Sequence, residues 1–447
     1  MTNQIILPSS NTFFVEQNTS FPQWLNSVNY HRNCFVNNQA STWLLYCDNA
    51  YQFSVLFFGL LTANKKIILP QNGTSNQLHL SMELADGFAG DTVLTVDNMI
   101  SYCPLGTLPL DSPLSISSET AITLFTSGST GEAKAINKTF QHLLTEIIQL
   151  EKCFGNVLEK STVVSTVSHQ HIYGLLVKLL WPIWFSRDVI LQPYEYPEHL
   201  CYDLIKYKLQ KVTLVSSPAH FHRLIKDNVY GKFKDNICAY FSSGGPLNEE
   251  ASQQLEKQLG QSPFEIYGST ETGGIAWRQR AIGKSEYWQP FSDIAISAEN
   301  ENQCLMLTSP YFDSDGWYIT DDKIAIDADG RFELLGRVDR IIKIEEKRVS
   351  LDHVQQSLKA LDFIDDAYCL TQTNKRGLQI VAVIILTEHA KNELLNSRKL
   401  VFNRKIKSCL MNDLEAIAIP KKFRYLSALP YNSSGKLNKL AMEKIFE

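Results

Sequence analysis

One stretch limits what this chain can fold into more than any other: Phe125-Thr126-Ser127-Gly128-Ser129-Thr130-Gly131-Glu132-Ala133-Lys134. The apolar run Ala121 to Phe125 enters it, and a helical pattern from Thr139 to Leu150 leaves it. A strand, a small hydroxyl-rich loop and a helix together offer backbone N–H groups to a phosphate. Gly128 and Gly131 allow positive φ and close backbone approach. The hydroxyls of Thr126, Ser127, Ser129 and Thr130 can donate to phosphate oxygens, and Lys134 supplies a cation. The spacing is not that of a Walker A loop, which ends Gly-Lys-Ser/Thr; here Lys134 precedes Ala135. Taken alone, the stretch equally suits a solvated turn between a strand and a helix.

At 447 residues the chain exceeds one compact core, which predicts about two to four domains. A hydrophobic content of 44% and a charged content of 20% are those of a soluble globular protein. The net charge of −5 argues neither for a nucleic-acid partner nor for a disordered acidic chain. There is no basic nucleic-acid patch, internal repeat or low-complexity tract. The start, Met1-Thr-Asn-Gln-Ile-Ile, lacks the basic region and apolar core of a signal peptide. The most apolar run, Leu175 to Phe185, holds Lys178 and Pro182. It has roughly half the ~20 residues a membrane span needs, so it reads as a buried helix. The nine cysteines are scattered, odd in number and never Cys-x-x-Cys. Reduced thiols and a cytoplasmic protein are therefore expected.

Short apolar runs alternate with helical patterns through the first 290 residues. Strands are predicted at Thr42–Cys47, Lys66–Leu69, Thr92–Thr95, Thr162–Thr166, Asp188–Leu191, Val212–Val215, Ala239–Phe241 and Pro263–Tyr267. Helices are predicted at Ala50–Thr62, Ile172–Trp181, His199–Tyr207, Pro218–Lys226 and Leu247–Leu259. The alternation implies mostly parallel sheets covered by helices, with ligands at the carboxyl ends of strands. From Asp293 the texture changes to short strands, including 317–320 and 323–326, and Asp329-Gly330 is a hairpin signal.

Three clusters lie at predicted strand ends. In Ser168-His169-Gln170-His171-Ile172-Tyr173-Gly174 the His-x-His pair invites a zinc reading, but no third ligand of obvious spacing is near. A histidine hydrogen-bonded at a helix start is the alternative. In Ser242-Ser243-Gly244-Gly245-Pro246-Leu247, two glycines and a helix-starting proline let backbone approach a ligand, or form a plain tight turn. Tyr267-Gly268-Ser269-Thr270-Glu271 is more specific: a ring, a glycine, two hydroxyls and a carboxylate can stack a base, contact phosphate and hold Mg²⁺. Further on come Trp317-Tyr318-Ile319-Thr320-Asp321-Asp322, Gly336-Arg337-Val338-Asp339-Arg340 and Ser433-Ser434-Gly435-Lys436.

Together these stretches resemble the adenylate-forming superfamily of acyl-CoA synthetases, nonribosomal-peptide adenylation domains and luciferases, with five motifs in family order. The resemblance covers nearly the whole chain. It implies an α/β fold: a large domain, 1–338, of mostly parallel sheets with a β-rich subdomain, a hinge near 339–340, and a small mobile α+β lid, 341–447. ATP and Mg²⁺ are the implied cofactors. Thr126 to Gly131 and Lys134 would hold phosphates. His171 and Tyr173 would line the acid pocket, with His171-x-x-Gly174 beside the acid. Gly244 and Gly245 would lie against the adenine and the acyl carbonyl, and Tyr267, followed by Gly268, would pack on adenine. Thr270 would contact the α-phosphate, Glu271 the metal, Asp322 the ribose, and Arg337 ribose or phosphate. Lys436 would bridge the carboxylate and α-phosphate. Lys436, His171 and Thr270 form the implied catalytic set.

The chain departs from the family pattern at Ala133, where proline is usual, and at Asp321 and Glu346, where glycine is usual. The segment from Lys343 to Leu351 looks most like ligases that load aromatic or fatty acids onto acyl carrier protein, as in aryl-polyene or lipid biosynthesis. The short N-terminal part implies a trimmed sheet and a small acid. The alternative acceptor is free CoA. A rival of another class is a non-catalytic adenylate-binding protein, with Asp321 and Glu346 as its signs; Lys134, Glu271, Asp322 and Lys436 argue against it. Residues 341–447 carry 18 Lys and Arg against 12 Asp and Glu, net +6, whereas residues 1–340 carry 24 against 35, net −11. A basic lid suits an acidic carrier protein or the phosphates of CoA.

Overall fold

The computed structural model describes residues 3–446 except 71, 92–95, 128–132, 228, 248, 281–285, 315, 345–346, 375–376, 397–398, 412 and 432–436. The predicted strand at 92–95 therefore lies outside the described residues. Two compact units emerge. The first joins Met1–Ala295, Thr308–Gly316 and Ser433–Gly435; the second joins Ile296–Leu307, Trp317–Asn432 and Lys436–Glu447.

In the first unit, strands β1 (Thr42–Tyr46), β2 (Lys66–Leu69) and β3 (Gly87–Gly90) run parallel, and helix α1 (Ala50–Thr62) connects β1 to β2. Every residue of α1 but Gln52 is buried, the fate of a helix that is apolar all round. The short strand β4 (Met99–Ile100) follows β3, and β5 (Ala121–Ser127) lies parallel to β2. β6 (Ala133–Thr139) then pairs antiparallel with β5, giving the order β6-β5-β2-β1-β3-β4.

Helix α2 (Phe140–Leu158) begins where expected. Its N-cap Thr139 accepts from the His142 backbone N–H at 3.3 Å, and His142 Nδ1 accepts from the Thr139 N–H at 3.1 Å. A second sheet follows, with β7 (Thr162–Ser165), β8 (Val212–Ser216), β9 (Ile237–Ser242) and β10 (Phe264–Ser269) in parallel order. β11 (Gly273–Gln279) and β12 (Gln289–Pro290) extend it antiparallel. Helices α3 (Pro197–Lys206), α4 (Pro218–Asp227) and α5 (Glu249–Leu259) cross between strands. All of β8, Val-Thr-Leu-Val-Ser, is buried, as a strand covered on both faces requires.

Three expectations change here. The strand predicted at 188–191 is reduced to bridges from Val189 to Phe14 and to Val163: the Val189 backbone bonds to Phe13 and Val15 on one side, while Asp188 and Ile190 bond to Val163 on the other. The helix predicted over 172–181 is a short turn, Ile172–Gly174, then a π-helix, Leu175–Leu180, then Trp181–Trp184. Helix α5 starts at Glu249 rather than Leu247, whose buried side chain belongs to the core around Phe221 and Tyr240.

The second unit opens with a four-stranded sheet: β13 (Ala295–Ala298), β14 (Cys304–Thr308), β15 (Tyr318–Ile326) and β16 (Phe332–Arg337). The two strands predicted at 317–320 and 323–326 are one, because Asp322 is paired with Arg337 across the ladder and carries the strand through. A hairpin of Ile341–Ile344 with Lys347–Ser350 leads into α6 (Leu351–Lys359). β17 (Ile364–Asn374) and β18 (Gly377–Leu386) pair antiparallel, and β19 (Lys422–Leu426) joins β18 in parallel. Helices α6 and α7 (Lys399–Leu410) pack on one face through Val354, Leu358, Phe402 and Ile406. The architecture is mixed α/β with mostly parallel, helix-covered sheets in the first unit, as expected; by contact, the short-stranded sheet from 296 onward groups with the second unit, not with the first. All nine cysteines are free thiols. No helix among the described residues is long and apolar enough to cross a membrane.

Candidate active site

The glycine-rich stretch is carried differently from the expectation. Strand β5 delivers Thr126, half-buried, and Ser127, but the segment returns into β6, not into a helix. Ser127 faces Ala133 and Thr126 faces Lys134 across the ladder. The helix N-terminus is a whole strand further on. Alternation along β6 explains why: Ile136 and Lys138 are buried while Ala135 and Asn137 are exposed. Gly128, Ser129, Thr130 and Gly131 lie outside the described residues. Lys134, at the start of β6, projects an exposed ammonium.

The β10–β11 hairpin supplies the next group. The Tyr267 ring lies 5.5 Å from Trp288, and the Arg278 guanidinium covers the Trp288 ring at 4.2 Å. Buried Glu265 anchors this layer, pairing with Arg278 at 3.0 Å and Arg280 at 2.8 Å. A bulge follows Tyr267, and Gly268 lies so close to the returning strand that a Cβ there would sit 2.2 Å from the Gly273 carbonyl oxygen. No larger residue fits that turn without moving backbone. Ser269 and Thr272 close it: the Ser269 N–H donates to Thr272 Oγ1, and the Thr272 N–H donates to Ser269 Oγ, both at 3.2 Å. Thr270 is buried, and Glu271, at the tip, is half-buried.

The structure brings Glu271 and Lys134 together, with Oε1 3.5 Å from Nζ. It adds two residues that sequence reasoning missed. Lys138, on the same face of β6 as Lys134, is buried; its Nζ donates to the Glu271 carbonyl at 2.8 Å and to the Tyr311 carbonyl at 2.7 Å. Burial brings its pKa down to about 8, against the pull of Glu146, Glu271 and Asp313. Glu146, on α2, accepts from the Gly274 N–H at 2.7 Å; burial raises its carboxyl above the usual range, opposed by Lys138. The signal was an acid set in the apolar face of α2, beside Leu143 and Ile147.

Gly244 has φ +89°, the backbone region that glycine favours, and Gly245 is exposed. The neighbouring Ser243 hydroxyl donates to the Ile266 carbonyl at 2.8 Å, tying this turn to the strand that carries Tyr267.

His171 is the N-cap of the short helical turn, half-buried, and its carbonyl accepts from the Leu175 N–H. Gly174 packs against the preceding turn: a Cβ would lie 2.0 Å from the Ser168 carbonyl oxygen. The Tyr173 hydroxyl is buried without a hydrogen-bond partner, and burial pushes its pKa well up. His169 is a buried neutral imidazole whose Nε2 sits 2.9 Å from the Cys47 carbonyl, with Phe53 against its ring. Among the described residues no group of three or more His, Cys, Asp and Glu gathers as metal ligands. Lys178, in the π-helix, is fully buried and donates to the Val167 carbonyl at 3.2 Å; burial lowers its pKa to about 7.

In the second unit, Asp322 and Arg337 are cross-strand partners, Oδ1 to Nη1 at 3.3 Å. Asp321 reaches the same guanidinium at 3.2 Å. Arg340 pairs with Asp352 on α6 and donates to Gln355 at 2.9 Å. Lys436 and Glu346 lie outside the described residues.

The AMP-binding enzyme family model matches residues 107–297. A probable CoA ligase of Humulus lupulus is 24% identical over 370 residues, 73% of this chain and 64% of that protein. A D-alanine–D-alanyl carrier protein ligase of Staphylococcus haemolyticus is 24% identical over 355 residues, 71% of this chain and 69% of that protein. The match thus spans less than two thirds of the hop protein. ATP-bound MatB from Rhodopseudomonas palustris has a similar fold, with a TM-score of 0.82 over 98% of this chain and 96% of that one, at 15% identity. In its motifs, in the family match over residues 107–297 and in its fold, the chain is similar to the adenylate-forming superfamily.

Proposed function

We propose that the chain is an ATP-dependent acid–thiol ligase that adenylates an aryl or fatty carboxylic acid and passes the acyl group to the phosphopantetheine thiol of an acyl carrier protein. The observation that carries this reading is the Lys134–Glu271 pair, 3.5 Å apart. It joins the strand leaving the glycine-rich stretch to the hairpin of Tyr267 and Thr270. A cation and a carboxylate side by side are what a nucleotide with its metal would separate, Lys134 turning to phosphate and Glu271 to Mg²⁺. One half-buried carboxylate fits Mg²⁺, which binds through very few protein oxygens and keeps water and phosphate in its shell. When bound, that ion would neutralise charge on the phosphate oxygens.

In the first step a carboxylate oxygen of the acid bonds to the α-phosphorus of ATP, the α–β bridging P–O bond breaks, and pyrophosphate leaves. Thr270 would donate to an α-phosphate oxygen, and Lys436 would neutralise charge between carboxylate and phosphate as it develops. Tyr267, backed by Trp288, would offer its ring to adenine. In the second step the thiol sulfur bonds to the acyl carbon, AMP leaves with the bonding electrons, and the thiol proton passes to solvent. Residues 1–338 would hold ATP and acid, and 341–447 would move about 339–340 between the steps. The carrier protein ligase relative and the basic 341–447 region support a carrier acceptor; the hop CoA ligase supports CoA. Of the basic cluster on α7, Lys405 is already paired with Glu393 at 2.8 Å, which leaves Arg404 and Lys407 as the residues to reverse.

The test is acid-dependent ATP–pyrophosphate exchange with hydroxybenzoates, cinnamates and medium-chain fatty acids. Exchange with one class establishes the ligase; nucleotide binding without exchange on any acid would make it a non-catalytic adenylate binder. Equimolar holo-carrier protein and CoA then compete at low salt, with Arg404 and Lys407 changed to Glu. A preference for CoA, or carrier loading untouched by the reversal, removes the carrier assignment.

A further inference from the structure

We infer that Lys138 and Glu146 are positioning residues for Glu271: two buried, electrostatically coupled side chains that fix the backbone on both sides of the turn so that the Glu271 carboxylate faces the nucleotide site. The inference rests on the ligase reading above and deepens it. Lys134 and Lys138 share one face of β6, four residues apart. The first meets the side chain of Glu271 and the second its backbone carbonyl. Lys138 also holds the Tyr311 carbonyl, so its ammonium ties the hairpin tip to the 309–312 segment. That segment is bound to the turn again by Ser309, whose hydroxyl donates to the Thr272 carbonyl at 3.4 Å. Glu146 takes the other end of the turn through the Gly274 N–H.

An isolated ammonium or carboxylate at this depth would be costly, and each of these two groups offsets part of that cost for the other across the turn. Two carbonyls could be satisfied by a neutral donor, and one N–H by a neutral acceptor. A charged pair adds field and stiffness where a carboxylate must keep one orientation. Neither Lys138 nor Glu146 reaches the solvent side of the turn, so both act through Glu271.

The experiment compares wild type with Lys138→Met, Lys138→Arg and Glu146→Gln. Calorimetry measures MgATP binding and, in EDTA, AMP binding; acid-dependent pyrophosphate exchange gives kcat and KM. Expected is a roughly 10–100-fold loss of MgATP affinity in Lys138→Met. AMP affinity and the KM for the acid are expected to hold. Lys138→Arg, which can still donate to both carbonyls, is expected to recover most of the loss. Glu146→Gln keeps an acceptor for Gly274 but not the charge, and is expected to lose MgATP affinity in the same selective way; it carries the test if Lys138→Met does not fold. MgATP and AMP weakening together, or neither weakening, would overturn the inference and reduce the pair to a structural one. Wild type that binds MgATP but shows no acid-dependent exchange refutes the ligase reading alone, since calorimetry still decides the role of the pair.

Discussion

Asp321 lies 3.2 Å from Arg337, Oδ2 to Nη2, and takes one arm of a guanidinium whose other arm faces Asp322 at 3.3 Å. The family pattern has glycine at this position, so the carboxylate is an internal competitor for the group expected on ribose or phosphate. Asp321→Gly is expected to tighten ATP binding by roughly 1.5- to 5-fold, the range of an exposed ion pair. Fluorescence or calorimetric titration with ATP checks it; unchanged or weaker binding would show that Asp321 does not hold Arg337 away from the nucleotide.

Lys436→Ala is expected to cut adenylation by roughly 10²–10³-fold, the usual effect of removing one electrostatic stabiliser. Thioester formation from a presynthesised adenylate is expected to persist, because the lysine acts on the phosphoryl transfer. Rates of the two half-reactions, measured separately, decide the point; an equal fall in both with the fold intact argues for a structural role.

Lys178 gives a pH signature. Its pKa in the folded protein, about 7, lies below the ordinary lysine value of 10.5. Between those values the unfolded chain binds the proton and the folded chain does not, so stability rises with pH across that window. The penalty of burying the charged form is complete below pH 7. Lys178→Met removes this dependence. The variant is expected to be more stable than wild type at pH 7. Its advantage should shrink toward pH 10, at up to about 1.4 kcal/mol per pH unit for one proton. Urea midpoints at pH 7, 8 and 9 check it; a constant difference would place the ammonium in contact with water.

Gly174→Ala is expected to destabilise the first unit by roughly 1–3 kcal/mol, the cost of overpacking against backbone that cannot yield. The added methyl would meet the Ser168 carbonyl at 2.0 Å. Thermal melting checks it, and an unchanged midpoint would mean that the 168–174 turn opens freely.

Legibility followed contact distance along the chain. β8 was readable because five successive apolar or small residues are all buried, and the Tyr267–Glu271 group because its chemistry sits in adjacent residues. β6 was not, because its lysines and small residues lack an apolar run and look like a loop opening into a helix. Lys138 was invisible for the same reason: its carbonyl partners are 133 and 173 residues away. Asp321-Asp322 looked like a break between two strands, and only the partner Arg337 on the neighbouring strand makes it part of one.

The antiparallel ladder of β5 and β6 has a consequence for cutting and rejoining the chain. Ser127 and Ala133 are held opposite each other by seven paired residues on each side, and α2 is placed by the far end of β6. The length of the glycine-rich connection is thereby uncoupled from the position of everything after it. Doubling such a connection costs only about 0.6 kcal/mol in closure entropy. The connection between Ser127 and Ala133 is thus exchangeable as far as the sheet is concerned: a longer loop, a protease site or a pair of new chain termini between Thr130 and Gly131 is expected to leave the sheet register and the start of α2 where they are.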